Sequence, residues 1–386
     1  MKPIEALAPL DRRHLHLFVA GPGAGEGLAL ALPERGWVLV DGCRCERRGR
    51  PDRYPLERIV ADFGPSDPVL LMIWTHPHQD HVHGVAELIE ALRPERVAIT
   101  GAGKPQRSIA DEVDCFDRLR RQGRDGAQAL RSANVVTALR AIQTWAETRP
   151  GHLLPLCDGT RLLDLETTRL TLDVQAPHPT VLESWSEQGL LARHMVERAN
   201  WLSAVLEVRF AATTVVLGGD LPVREGGQDV PTGWRRVMEQ HPELTYHVGL
   251  KIPHHGSRDA LHPDLVAPFG RPRAWCLTPF NSAGLPRTDD DDGLDLLLEA
   301  ESPIMLTALS LSRKLQAAHA EGRVTPREID LGTRALRSGG TFLDGDTLWR
   351  SATALDPLDP VWCVAFDDAG HIVDRWRGRA ALEVHR

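Results

Sequence analysis

Apolar runs separated by glycine and proline divide the N-terminal part of the chain into short predicted strands. Three such runs occupy Leu15–Gly21, Gly27–Pro33 and Gly36–Gly42. Runs of this length with turn residues at both ends are typical of β-strands. A fourth run, Val69–Trp74, is apolar at every position, which fits a strand buried on both faces.

Helical spacing is present in the segment of about residues 102–152. Apolar residues recur at Val135, Leu139 and Ile142, and earlier at Ile109, Val113 and Phe116, so we predict two helices. Near the C-terminus, residues 361–366 and 371–376 flank Asp367-Asp368-Ala369-Gly370, a pattern that predicts a β-hairpin. This hairpin is expected to be an appendage to the sheet or a docking module.

Candidate chemistry follows the fourth strand directly. The stretch His76-Pro77-His78-Gln79-Asp80-His81 places three imidazoles and a carboxylate within six residues. Pro77 prevents the strand from simply continuing, so these side chains are predicted on a turn and on the first turn of the next element. Imidazole and carboxylate ligands favour zinc, with manganese or iron as alternatives, and the geometry suits two metals better than one. A histidine-rich surface turn is the alternative interpretation.

Two later strands also end in polar residues. The run from Thr214 to Leu217 continues through two glycines to Asp220, and the run from Val248 to Ile252 leads into Pro253-His254-His255-Gly256-Ser257.

The His-x-His-x-Asp-His pattern resembles the signature of the metallo-β-lactamase fold, and Pro-His-His-Gly-Ser is similar to the branch found in ComEC-type DNA-uptake proteins and their soluble relatives. The resemblance covers roughly residues 14–310. It implies an α/β four-layer αβ/βα sandwich that opens with a β-meander and carries the helical insertion, followed by a C-terminal extension over residues 311–386. It also implies a metal set, with Asp220 as the bridging carboxylate, of His76, His78, Asp80, His81, Asp220 and His255.

This chain departs from the family pattern at the first metal. Many members have a third histidine just before the strand that leads to the bridging aspartate, whereas Asn200 and Ser203 occupy that neighbourhood here. His178 and His194 are the nearby replacements, although surface histidines are commoner than ligands. The first metal is therefore expected to be held weakly.

The predicted ligand set gives roles to the remaining residues. Two divalent ions would generate a hydroxide nucleophile near neutral pH, and Asp80 would orient it. His254, His255 or Lys251 would protonate the leaving group. The sequence does not distinguish which of the two histidines binds metal. Ser257, Lys251 and Asn200 are predicted to contact substrate, and an N-cap is the alternative for Ser257.

Composition and charge limit the partners. The chain has 386 residues, 42% of them hydrophobic, and a net charge of −8, which is unlike a protein that wraps long duplexes. It has no apolar run of about 18 residues and no secretory signal pattern, so we expect a cytoplasmic protein without a membrane span. Arginines cluster in two segments that either bind phosphates or form solvated surfaces: Arg44, Arg47, Arg48, Arg50 and Arg53, and Arg118, Arg120, Arg121 and Arg124.

The resemblance favours a metal-dependent phosphodiesterase or nuclease acting on nucleic acid or nucleotides. A lactone, lactam or thioester hydrolase is the second hypothesis, supported by the acidic balance and by an insertion that would form a lid. The alternatives to a lid are that the insertion packs against the fold as an additional element or forms an oligomer surface. The third hypothesis is a metal-binding subunit that works with a protein partner in a stress or defence system.

Overall fold

A computed structural model describes residues 2–34, 36–45, 53–100, 126–187, 199–223, 233–268, 270, 272–281, 283–286, 293–299, 302–309, 337–338, 341–342 and 356–385. In the stretch 126–187, side chains are described for residues 133–183. In the stretch 199–223, they are described from residue 200 onward. The fold is mixed α/β, with two large mixed sheets.

The first sheet has nine strands among the described residues, in the order β1-β18-β17-β2-β3-β4-β5-β6-β7. Their bounds are β1 Lys2–Pro3, β2 Leu15–Ala20, β3 Gly27–Ala31, β4 Trp37–Asp41, β5 Val69–Trp74, β6 Arg96–Thr100, β7 Leu153–Leu156, β17 Val361–Phe366 and β18 Ile372–Arg377. The strands β2, β3 and β4 form the predicted antiparallel meander. The strands β4, β5, β6 and β7 run parallel.

The second sheet has eight strands in the described part of the chain, in the order β19-β14-β13-β12-β11-β10-β9-β8. Their bounds are β8 Arg161–Leu165, β9 Leu170–Ala176, β10 Val205–Phe210, β11 Thr213–Leu217, β12 Gly249–Lys251, β13 Ala274–Leu277, β14 Ile304–Leu306 and β19 Leu382–Val384. A separate pair consists of β15 Arg337–Ser338 and β16 Thr341–Phe342.

Seven α-helices and six short 3₁₀ helices accompany the sheets in the same described ranges. The α-helices are α1 Pro55–Phe63, α2 Gln79–Val82, α3 Val85–Leu92, α4 Gly126–Glu147, α5 Pro179–Glu187, α6 Gly233–Gln240 and α7 Gly293–Glu299. The 3₁₀ helices are Ile4–Ala6, Glu166–Thr168, Ala199–Leu202, Pro242–Tyr246, Pro253–Gly256 and Arg258–Ala260.

The helix α1 shows how the sequence determines an element. Pro55 begins it, where a missing N–H costs nothing, and Leu56, Ile59 and Phe63 recur at helical spacing and are buried. Gly64 follows the last turn.

Three hydrophobic clusters connect helices and sheets. The first joins α1, α3 and α4 to one face of the first sheet, for example through Ile59 and Trp37. The second joins the facing surfaces of the two sheets, with Leu17 of β2 and Leu206 of β10 among its members. The third joins the outer face of the second sheet to α6 and α7 through residues such as Trp234. This arrangement is compatible with a sandwich.

The predicted insertion and C-terminal hairpin are partly described. Val135, Leu139 and Ile142 of α4 are buried in the first cluster, so this helix packs against the fold. The helix predicted from Ile109, Val113 and Phe116 lies outside the described residues. The hairpin is present, and β17 lies inside the first sheet, between β18 and β2.

Candidate metal centre

The polar turn after β5 is held against the end of β4. Because β4 and β5 are parallel, Asp41 at the end of β4 lies beside Thr75 at the end of β5. The Asp41 carboxylate accepts hydrogen bonds of 2.7 Å from both the backbone N–H and the hydroxyl of Thr75. His76 and His78 follow on the turn, and Asp80 and His81 lie on α2. The predicted placement of the motif at the carboxyl end of a buried strand is confirmed.

Asp220 reaches the same region from the carboxyl end of β11. Its backbone N–H donates to Ser203 Oγ at 2.8 Å. Gly219, just before it, has φ of +50°, and a Cβ there would lie 2.4 Å from Ser203 Oγ and 2.6 Å from the Ala204 carbonyl oxygen. The chain can approach this closely only with glycine, so the predicted glycine-glycine-aspartate turn has a steric reason.

The Pro-His-His-Gly-Ser turn follows β12 and separates its two histidines. His254 and His255 have φ of 46° and 51°, an uncommon left-handed conformation for residues other than glycine. The His254 N–H donates to the Gly219 carbonyl at 2.8 Å, which fixes this turn to the Asp220 turn. The side chain of His255 is fully buried, whereas that of His254 is 19% exposed. His255 therefore lies inside the cluster and His254 lies at its rim.

Two groups of side chains have ligand atoms close enough to hold a metal ion. One consists of His76, His78 and Asp220, and the other of Glu26, His81, Asp220 and His255, with atoms within 4.8 Å of one another in each group. Asp220 belongs to both. Its Oδ2 lies 3.2 Å from His81 Nε2, 3.8 Å from His255 Nε2 and 3.9 Å from His76 Nε2.

Hydrogen bonds hold the outer nitrogen of three histidines, and the inner nitrogen faces Asp220 in His76 and His81 and faces both Asp80 Oδ2, at 2.9 Å, and Asp220 in His255. Because the Thr75 hydroxyl donates to Asp41, His76 Nδ1–H donates to Thr75 Oγ1, at 3.0 Å. His81 Nδ1–H donates to Asp41 Oδ2 at 2.7 Å. His255 Nδ1–H donates to the Thr278 carbonyl at 3.2 Å. This arrangement fixes the ring orientation that metal-binding histidines require.

The nitrogen and oxygen atoms that face the centre of the cluster are suited to binding a cation. In the described residues, several buried atoms at this point have no hydrogen-bond partner: His76 Nε2, His78 Nδ1, Asp80 Oδ1, His81 Nε2, and both Asp220 oxygens. Buried polar atoms without a partner are costly, and cations held by the two ligand groups would satisfy them.

Charge in the cluster leads to the same conclusion. Burial alone would raise the pKa of Asp220, but His81, His255 and His254 hold it well below its usual value. Burial opposes charge on His81 as well, yet Asp220, Asp41 and Asp80 raise its pKa well above the usual value. These carboxylates thus stabilise a positive charge at this point, which is what a metal site needs.

Glu26 supports the histidines from outside and was not predicted from the sequence. Its carboxylate lies 3.5 Å from His255 Nδ1 and 3.9 Å from His81 Nδ1, the nitrogens that face away from Asp220. It also accepts from Thr278 Oγ1 at 2.5 Å and pairs with Lys251 Nζ at 2.6 Å. We therefore interpret Glu26 as a residue that positions ligands, since its atoms lie on the outer side of both rings.

Three residues predicted to contact substrate lie in different places. Lys251 is fully buried, and its ion pair with Glu26 favours a supporting role over substrate contact. Asn200 Nδ2 lies 3.1 Å from His254 Nε2, at the rim. Ser257 precedes the 3₁₀ helix Arg258–Ala260 without capping it through its side chain, and its hydroxyl bonds Asp259.

His254 is held between two polar partners. Its Nδ1 lies 3.1 Å from Asp259 Oδ1, on the side away from Asn200. Burial lowers the pKa of His254, but Asp220 and Asp259 outweigh it and raise the pKa to about 9.

The histidines considered for the first metal have different outcomes. His178 Nε2 lies 2.6 Å from Arg236 Nη2, so it is not directed into either ligand group. His194 lies outside the described residues. His83, which follows the motif, is buried, and its Nε2 lies 3.4 Å from Asn134 Nδ2 of α4. Of the two arginine clusters, Arg44 and Arg53 are described, and the others lie outside the described residues.

Comparisons with known proteins name no function. No protein-family model matches the sequence, and the search of curated proteins finds no match. A solved structure of a protein of unknown function from Enterococcus faecalis V583 is similar at 11% identity with a TM-score of 0.32, over 66% of this chain and 53% of that chain. The match spans about half the length of that structure, and at this identity and TM-score it assigns neither fold nor function. Separately, none of the described helices is both long and apolar enough to cross a membrane.

Proposed function

We propose that this protein is a metal-dependent hydrolase of the metallo-β-lactamase type, with residues 14–310 as a four-layer αβ/βα sandwich whose two sheets are completed by β17, β18 and β19 from residues 311–386. The observation that carries the proposal is the sharing of Asp220 by two ligand groups whose members are buried except for the partly exposed His78. The helix-sheet and sheet-sheet clusters support the layer order.

The residues would hold two divalent ions, with zinc favoured and manganese as the alternative. His76, His78 and Asp220 form the first site, and Asp80, His81, Asp220 and His255 form the second. When bound, such ions activate a water nucleophile near neutral pH and polarise the oxygen under attack. With only one carboxylate and two imidazoles described around it, the first site is the weaker.

The chain's own groups would orient the reactants. Asp80 Oδ1 is buried and lies 3.2 Å from His78 Nδ1, so it would accept from a water molecule bound among the proposed ligands. His254 lies at the partly exposed rim, where Asn200 and Asp259 fix its ring. From this position a protonated His254 would give its Nε2 proton to the leaving oxygen, with the Asn200 amide turned so that its nitrogen donates to the substrate.

A phosphodiester is the proposed substrate class. The resemblance of the Pro253–Ser257 turn to the DNA-uptake branch supports it, and hard cations suit phosphoryl oxygens. Fold alone does not determine the substrate, so the class must be tested directly.

The test combines elemental analysis with cleavage of labelled single- and double-stranded DNA and RNA in zinc or manganese. Asp220→Asn should lose metal and cleavage. Glu207→Gln is the matched control, because Glu207 is also a buried carboxylate but lies on β10 and bonds Gln175 and Arg209. It should keep both properties.

Full metal occupancy without cleavage of any phosphodiester would contradict the substrate assignment. Hydrolysis of a lactone or thioester panel would then identify a small-molecule enzyme, which the net charge of −8 favours as the second candidate. Retention of metal by Asp220→Asn at the level of the control would contradict the metal site itself.

A further inference from the structure

A cavity lies between the end of β9, α5, α6 and the 3₁₀ helix Ala199–Leu202. The empty space at this cavity is about 380 Å³, a figure that includes open solvent at its mouth, whereas the space open to the centre of a water molecule is about 20 Å³, so a larger ligand would lie mostly in the mouth. Its lining includes Gln175, His178, Val181, Trp201, Leu221 and Arg236. One part of the wall is therefore aromatic and aliphatic, and another part carries hydrogen-bond donors.

This cavity adjoins the candidate metal centre through two pairs of neighbouring residues. Leu221 follows Asp220, the carboxylate that both ligand groups share. Trp201 follows Asn200, which bonds His254 at the rim. The sheet pairing also brings these segments together. The first residues of β10 pair with the end of β9 on one side and with the end of β11 on the other. Two wall residues of the cavity are thus direct chain neighbours of two residues at the candidate metal centre.

Arg236 lines the cavity, and among the described residues no carboxylate lies within ion-pair distance of its guanidinium, although Asp158 and Glu183 are near enough to act on the adjacent His178. Arg236 Nη2 donates to His178 Nε2 at 2.6 Å. With Nε2 accepting, the single proton of a neutral imidazole is on Nδ1, which lies 2.8 Å from Thr180 Oγ1. Burial first, and Arg236 next, lower the pKa of His178, so the neutral ring accepts the hydrogen bond from Arg236 and the guanidinium keeps its positive charge.

The guanidinium also has unused hydrogen-bonding capacity. Arg236 Nε is buried and has no hydrogen-bond partner in the described structure. A phosphate oxygen would satisfy it, because planar guanidinium donors match the geometry of phosphate.

The opposite wall suits a planar ring. Trp201 lines the cavity with Val181 and Leu221, and the side-chain amide of Gln175 lies nearby. Nucleic-acid bases stack on aromatic side chains without strict sequence preference. An anion site and an aromatic wall are thus present in one cavity.

We propose that this cavity binds the nucleotide next to the scissile phosphodiester, with its phosphate on Arg236 and its base against Trp201. This inference rests on the proposed hydrolase function and specifies its substrate as an oligonucleotide with a phosphate beyond the reacting one. Arg236 is then a specificity-determining residue.

The test uses the metal-loaded enzyme with two substrates, the 5′-phosphorylated dinucleotide pdTdT and bis(4-nitrophenyl) phosphate, which has no second phosphate. Arg236→Gln should raise KM for pdTdT by about tenfold or more, since a charge-assisted hydrogen bond is lost. It should leave the KM and kcat for bis(4-nitrophenyl) phosphate unchanged. Arg236→Lys should recover part of the pdTdT affinity because the charge remains.

Arg235→Gln is the matched control, because Arg235 is the adjacent arginine of α6 but is exposed and pairs with Glu239. It should leave both substrates unaffected. Equal losses for both substrates in Arg236→Gln, or equal effects of the two glutamine variants on pdTdT, would overturn the proposal.

A binding measurement separates this inference from the proposed function. In chelator-treated protein, fluorescence anisotropy compares labelled pdTdT with labelled dTdT, which lacks the additional phosphate. Wild-type protein should prefer pdTdT, and Arg236→Gln should lose that preference. Absence of the preference in the wild type would overturn the cavity assignment even if hydrolysis is found. A preference without any hydrolysis would support the cavity and contradict the enzyme.

Discussion

The ion pair between Glu26 and Lys251 allows the support of the metal centre to be tested by stability. Lys251→Met keeps the length of the side chain and removes its charge, so the Glu26 carboxylate stays buried without its cation. Both side chains are 1% exposed or less, and the pair is 2.6 Å long. Breaking a buried pair by removing one partner costs about 3–5 kcal/mol, and we expect a loss of this size in the free energy of unfolding.

The double variant Glu26→Gln with Lys251→Met should recover most of that loss. Both charges are then absent, and a glutamine can still hydrogen-bond the Thr278 hydroxyl that Glu26 contacts at 2.5 Å. Replacing a whole buried pair with neutral groups is often close to neutral in stability. The assay is urea unfolding of the metal-free protein, followed by tryptophan fluorescence, for the wild type, both single variants and the double variant.

A solvent-exposed ion pair provides the control for this comparison of single and double variants. Arg161 and Asp173 are 2.8 Å apart with 52% and 17% exposed side chains, so Arg161→Met should cost no more than about 1 kcal/mol. If the double variant loses as much stability as the two single variants added together, Glu26 and Lys251 are not coupled and the reasoning is refuted. Glu26→Gln should also weaken zinc binding by about tenfold or more, because residues that orient ligands affect metal affinity.

Three further predictions test other parts of the structure. Burial lowers the pKa of His16 to about 4. Because the unfolded chain then takes up a proton that the folded chain does not, acidification from pH 7 to 5 should cost about 2 kcal/mol through this residue. His16→Leu should remove that part of the pH dependence in urea unfolding, and an unchanged pH dependence would contradict the assignment. Gly25→Ala should destabilise the protein more than Gly159→Ala, since its Cβ would lie 2.4 Å from the Asp80 carbonyl oxygen whereas nothing lies within 4 Å at Gly159. Equal melting temperatures for these two variants would exclude that steric conflict. Ser257→Ala should keep the wild-type metal content by elemental analysis, because Ser257 lies outside both ligand groups, and loss of metal would contradict this placement.

The sequence was informative where chemistry is local. His76, His78, Asp80 and His81 lie within one turn after an apolar strand, and such a turn can be located from spacing alone. Asp220 and His255 required the resemblance, because the chain brings them to this turn only through the packing of two sheets.

Other features had no local signal. Glu26 lies between two glycines in a loop, and its partner Lys251 is far away in the sequence, so no spacing predicts the pair. Asp41 ends a predicted strand, but its contact with His81 depends on the parallel pairing of β4 and β5. The hairpin was predicted, yet its insertion beside β2 depends on long-range pairing that no local pattern specifies.

The position of β17 has a consequence for synthesis of the chain. All the proposed metal ligands precede residue 256, but the edge of β2 remains unpaired until Val361–Phe366 has been made. At ordinary translation rates this delay is on the order of ten seconds. During it, an apolar strand edge is exposed to other chains, which is a recognised route to aggregation. We therefore expect the nascent chain to depend on chaperones at a stage when its ligand residues are complete but its first sheet is still open.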